Sequence, residues 1–146
     1  MRKLLSLILM IMGVALFIGC KEKEGAEEKK PLTKEDAAKR LGEDYIKALQ
    51  KGDRKFFENA FDWEEMFKIL KKEAGLEYET TEAWKNDFLP FLTRGWKKKF
   101  TVKSVVVVGD TAKVSIDAEG GEMMQPLVLI YKAGKWKVIR IPMWSF

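Results

Sequence analysis

The chain has 146 residues, no histidine, one cysteine and a net charge of +5. Without histidine or a second thiol, composition excludes Cys/His metal centres and Cys–His or Ser–His–Asp catalysis. No glycine-rich phosphate loop is present, and so modest a positive balance does not argue for nucleic acid.

The chain opens with Arg2 and Lys3, then an apolar run from Leu4 to Ile18, then Gly19 and Cys20. A charged start, a short apolar core and a small residue before the cut describe a secretory signal peptide over residues 1–19. The run holds 15 residues, against about 20 for a spanning helix. Phe17-Ile18-Gly19-Cys20 resembles the lipobox of bacterial lipoproteins, with Phe17 where leucine is usual. The resemblance implies cleavage after Gly19 and acylation of Cys20, palmitate included. It also implies residence in the bacterial cell envelope. Lys21 is not the aspartate associated with inner-membrane retention, so in a diderm cell the outer membrane is favoured. Two other readings stay open: an uncleaved anchor, and an ordinary signal peptide with an incidental free thiol.

Residues 20–32 comprise the lipidated cysteine and a tether. KEKEGAEEKK (21–30) has no aromatic or β-branched residue and many charges of both signs. Such a segment cannot bury enough apolar surface to offset its ordering entropy. Cleavage after Gly19 removes Arg2 and Lys3 and no acid, which lowers the net charge from +5 to +3.

Residues 33–146 form one domain with helices first and strands after, an α+β order. Thr33 with Asp36 marks a helix start, Ala37 to Leu49 recur at helical spacing, and Gly52 is a stop. Asp53 can cap a short helix carrying Phe56, Phe57, Ala60 and Phe61. Asp62 with Glu65 opens a third helix, with Trp63, Met66, Phe67 and Leu70 as its stripe and Gly75 as its stop. Thr80 or Thr81 opens a fourth, with Trp84, Phe88, Leu92 and Trp96 four residues apart and Pro90 predicted to kink or divide it. The cluster Lys97-Lys98-Lys99, near Arg94 and Lys103, reads as a solvated helix end, or as a contact for anionic envelope polymers or headgroups.

The period changes at Phe100. Val105 to Val108 is a β-branched run, and Gly109-Asp110 is a turn. Ala112, Val114, Ile116 and Ala118 alternate with polar residues, a half-buried strand. Gly120-Gly121 breaks the chain. Leu127 to Tyr131 and Trp136 to Ile141 are two more strands about the turn Ala133-Gly134. Short connections predict four antiparallel neighbours. Apolar residues on both strand faces leave one face to be covered, by a second copy or by Met143, Trp144 and Phe146.

DYIKALQKGDRKFFENAF (Asp44 to Phe61) resembles the opening of NTF2-like domains, and YKAGKWKVIRI (Tyr131 to Ile141) their last hairpin. The resemblance spans roughly Thr33 to Ile141, and is to the small lipoproteins of that superfamily with uncharacterised domains. It implies a curved antiparallel sheet of about four strands wrapped around the helices as a cone with an apolar pocket, and a homodimer through the sheet. A short strand usual between the second and third helices is not expected here, since residues 62–80 read as mostly helical.

Enzymes of that superfamily commonly use an aspartate with a histidine or tyrosine in the pocket, which leaves only a carboxylate with Tyr45. Asp62, Glu64, Glu65, Glu77 and Glu79 read as solvated helix starts and loops, Asp117 as solvent-facing, and Tyr45 as core packing. Tyr45, Trp63, Trp84, Phe88, Trp96, Tyr131 and Trp136 either fill the core or line a cavity suited to an apolar or planar ligand. The reading is a lipid-anchored, non-enzymatic module binding such a ligand or an envelope protein, with no cofactor or metal implied. The alternatives are a small hydrolase or isomerase using a carboxylate and Tyr45, and an assembly factor acting through the sheet.

Overall fold

The computed structural model describes residues 30–120 and 125–142. Gly19, Cys20, the tether over 21–29, Gly121 and the C-terminal Met143, Trp144 and Phe146 lie outside those residues. The chain divides into two units, Met1–Pro31 and Leu32–Phe146, and every element below belongs to the second. No helix among the described residues is long and apolar enough to cross a membrane.

Helix α1 (Lys34–Lys51) starts where Thr33 Oγ1 accepts the Asp36 N–H at 3.0 Å. It ends at Gly52 in the left-handed region (φ 67°), where the Gly52 and Asp53 N–H groups both reach the Ala48 carbonyl. Its buried stripe is Ala38, Gly42, Tyr45, Ile46, Ala48 and Leu49. Asp53 caps α2 (Arg54–Ala60) and Asp62 caps α3 (Trp63–Ala74), each through a side-chain oxygen accepting the N–H three residues on. Gly75 closes α3 at φ 63°. Thr80 caps α4 (Thr81–Leu92) in the same manner as the aspartates. Each predicted start is thus a side-chain oxygen satisfying an otherwise orphaned donor.

Pro90 does not divide α4; it lies inside the helix, two residues before its end. The bond it removes is the one the Asn86 carbonyl would have accepted, and Asn86 is exposed, where losing that bond costs less than in the core. The Thr93 N–H and hydroxyl both bond to the Leu89 carbonyl, and Gly95 turns the chain at φ 76°. Trp96 is therefore not on the helical stripe predicted for it. Its N–H reaches Leu49 at the end of α1. Lys97, Lys98 and Lys99 are exposed, as expected, but lie on the loop leading to the first strand and not on a helix end.

Strands β1 (Phe100–Val108), β2 (Thr111–Ala118), β3 (Leu127–Lys132) and β4 (Lys135–Arg140) form one antiparallel sheet in chain order. The alternation read in β2 is obeyed in full: Ala112, Val114, Ile116 and Ala118 are buried and face the helices. Register shifts fall between Val102 and Ser104 and between Val128 and Leu129, and such bulges bend a strand. Helix α1 lies on β1 and β2, so close at Gly42 that a Cβ there would come 2.7 Å from Val114 Cγ1. Helix α3 packs on β4, and α2 touches α1, α4 and β4.

No strand forms over residues 62–80. The chain instead makes a single parallel bridge from Phe61 to Val138, with the Asp62 N–H on the Val138 carbonyl at 2.9 Å. The outer sheet face is mixed. Val106 and Val108 are exposed and Val128, Ile130 and Ile139 half-buried, beside Thr111, Lys113 and Asp117.

Candidate functional site

Helices α3 and α4 meet the far end of β4 around a cavity of about 600 Å³. Met66, Ile69, Leu70 and Glu73 reach it from α3, a helical i, i+3, i+4, i+7 set. Trp84, Asp87 and Phe88 do so from α4 by the same spacing. Leu76 and Tyr78, on the connection after the Gly75 stop, close one side. Gln125, Arg140 and Ile141 close the other.

The wall is mostly apolar and aromatic. Trp84 and Phe88 stack with ring centres 5.4 Å apart and planes 15° from parallel. Phe67 and Trp63 back the Trp84 ring at 6.0 and 5.5 Å. The charged groups of the lining are each paired. Arg140 donates to Glu73, tying β4 to α3. The Tyr78 hydroxyl donates to Asp87 Oδ2 at 3.0 Å, and this bond, followed by the carboxylate's charge, holds the Tyr78 phenol above its ordinary pKa. Lys71 donates to the Tyr78 carbonyl at 3.4 Å and sits 5.3 Å from the centre of the Phe67 ring. Among the described residues no charged side chain is fully buried, and no group of three acidic or thiol side chains could hold a metal.

Of the seven aromatic residues marked by the sequence, only Trp84 and Phe88 line this cavity. Tyr45 is in the core, 1 % exposed, with Phe57 and Phe61 each 6.2 Å away, and burial pushes its phenol pKa up. Trp63 is buried behind Trp84, its indole N–H bonded to the Phe57 carbonyl. Trp96 packs on the loop after α4, with the Arg94 guanidinium 3.7 Å over its ring. Tyr131 and Trp136 pair edge-to-face at the start of α1, where the Trp136 N–H reaches the Lys34 carbonyl at 2.9 Å. They border a shallower groove with Lys34, Arg40 and Leu41. The seven do not converge on one cavity: Tyr45, Trp63, Trp84 and Phe88 run through Phe61 as one chain of ring contacts in the core, while Trp96 and the Tyr131–Trp136 pair pack elsewhere.

The carboxylates singled out in the sequence serve the helices and the surface. Asp62 caps α3 and pairs with Lys132, Glu64 accepts from Thr81, and Asp117 pairs with Lys103. Glu73, Asp87, Tyr78 and Arg140 gave no sequence signal of their own, since their side chains pair across 67 residues (Arg140–Glu73) and nine (Tyr78–Asp87), spacings that no helical or strand period marks. The legible part was Met66 and Leu70 on the α3 stripe and Trp84 and Phe88 on α4.

No curated protein matches the chain. Among solved structures, an NTF2-like protein of unknown function from Silicibacter pomeroyi is 21% identical, covering 70% of this chain and 87% of its own, with a TM-score of 0.46. A putative NTF2-like transpeptidase from Campylobacter jejuni is 16% identical, covering 69% and 95%, with a TM-score of 0.47. An NTF2-like protein of unknown function from Shewanella baltica is 14% identical, covering 68% and 83%, with a TM-score of 0.43. Residues 33–142 match the family described as "Putative lumazine-binding". That match takes in all four helices and all four strands, and the chain belongs to this family, with NTF2-like folds as its structural neighbours.

Proposed function

We propose that the domain is a non-enzymatic binding module of the bacterial envelope, held at a membrane by lipid on Cys20. Its site is the cavity between α3, α4 and the end of β4, and its ligand is small, with a planar or apolar body. The observation that carries this is the cavity itself: about 600 Å³, walled by Met66, Leu70, Leu76 and the Trp84–Phe88 stack, with a few paired polar groups at its edge. Ligand sites are commonly about 300–1,000 Å³ with this balance of wall and polar groups. The family's description points the same way, since lumazine is a flat fused ring that could lie against an aromatic wall. A binding role is favoured over a hydrolytic one because Glu73 and Asp87 are each engaged by a neighbour and Tyr45 packs elsewhere.

Titration with N-phenyl-1-naphthylamine, a neutral flat apolar fluorophore, tests the site. The purified protein is expected to bind it with a rise in emission. Filling the cavity by Leu70→Trp with Leu76→Trp is expected to weaken binding by at least about tenfold, through loss of buried apolar contact. No binding to the parent protein, or equal binding to the filled variant, refutes the proposal.

A further inference from the structure

Among the described residues, Arg140 is the only cationic side chain lining the cavity. It extends from the last residue of β4, and its guanidinium is taken by Glu73. The two side chains are 42% and 50% exposed, so the pair sits at the mouth and not in the wall. Glu73 lies in the last turn of α3, one residue from its end. A carboxylate there faces the negative end of the helix dipole. An ion pair this exposed contributes little net stability, and in leaving Arg140 the carboxylate can turn into water. Arg140, in contrast, is held by the sheet next to Ile139 and two residues from the fully buried Val138. The other acid in the wall, Asp87, stays occupied by the Tyr78 hydroxyl, and Lys71 adds a second positive charge beside Tyr78.

We propose that Arg140 reads the ligand: the cavity selects flat or apolar molecules that carry an acidic group, and Glu73 holds the place of that group until the ligand displaces it. This rests on the binding role proposed above. A guanidinium offers a planar fork that matches a carboxylate in two parallel hydrogen bonds. The apolar body then lies along Leu70, Leu76 and Phe88, with its acid at the mouth.

The test is competition against N-phenyl-1-naphthylamine by three isosteric probes: 2-naphthoate, neutral 2-naphthamide and 2-naphthylmethylammonium. The quantity scored is the ratio of naphthoate to naphthamide affinity, in which a general weakening of the site cancels. At a half-exposed site that ratio is expected to be about tenfold in the parent protein. Arg140→Gln is expected to bring it to about one, while Arg140→Lys retains part of it, since an ammonium keeps the charge without the fork. Glu73→Gln is expected to raise it about threefold, because the competing charge is gone. A ratio near one in the parent, a ratio unmoved by Arg140→Gln or Glu73→Gln, or tightest binding of the ammonium probe overturns the proposal while leaving the cavity as a binding site. Failure of the neutral fluorophore to bind refutes the binding role itself.

Discussion

Gly52→Ala is expected to cost the domain about 3 kcal/mol, far more than the same change at Gly75. Both glycines end helices in the left-handed region, at φ 67° and 63°. An L side chain there costs about 1–2 kcal/mol, partly offset by a stiffer unfolded chain, so about 1 kcal/mol remains at either site. The surroundings differ. A Cβ at Gly75 meets nothing within 4 Å, whereas at Gly52 it would come 2.4 Å from the Thr93 carbonyl oxygen and 3.2 Å from its carbon. Backbone cannot rotate away as a side chain can. The loop must retreat by about 1 Å, against the bonds from Thr93 to Leu89 and from the Trp96 N–H to Leu49. Losing one such bond costs about 1 kcal/mol and overpacking at least as much again. For a domain of this size that corresponds to a fall in Tm of about 12 °C for Gly52→Ala and about 4 °C for Gly75→Ala. Urea and thermal unfolding of the two purified variants, followed by circular dichroism, measure the difference. If the two fall within about 0.5 kcal/mol of each other, close α1–loop packing is not what requires the glycine.

The Tyr45 phenol is raised above its ordinary value of 10.0 by burial, so the folded protein holds that proton where the unfolded chain loses it. The stability this represents is complete below pH 10 and declines as pH rises beyond it; unfolding midpoints across pH 8–11 should show the decline in the parent and a shallower one in Tyr45→Phe. An unchanged alkaline slope in Tyr45→Phe would falsify the assignment. Cys20→Ala is expected to release the protein from membranes or leave it unprocessed, read by fractionation and intact mass, and unaltered fractionation and mass speak against lipidation.

Local rules carried the sequence reading where local physics decides. Thr33, Asp53, Asp62 and Thr80 were legible as helix starts because capping involves residues three apart. The β2 face was legible because alternation in a half-buried strand needs no knowledge of its neighbours. Trp96 was misplaced because its four-residue spacing from Leu92 fits a helix, while its position is set by Leu49, 47 residues earlier in the chain. The cavity was only half legible. Trp84 and Phe88 stand out by type, but Arg140 meets Glu73 across 67 residues and Tyr78 meets Asp87 across a helix start. Such pairs are fixed by how α3 and α4 approach β4, which no periodicity encodes.

The Phe61–Val138 bridge gives the sheet a direction. At its β4 border the outermost strand is blocked near its middle, since the Val138 carbonyl already accepts from Asp62. The β1 border, among the described residues, has no strand beyond it and carries four consecutive valines. Lateral recruitment of another chain, whether a second copy or a misfolded one, is thereby steered to that one side. There the register break beside Lys103 interrupts the template after Val102, so the part able to seed an added strand is the short stretch from Ser104 to Val108.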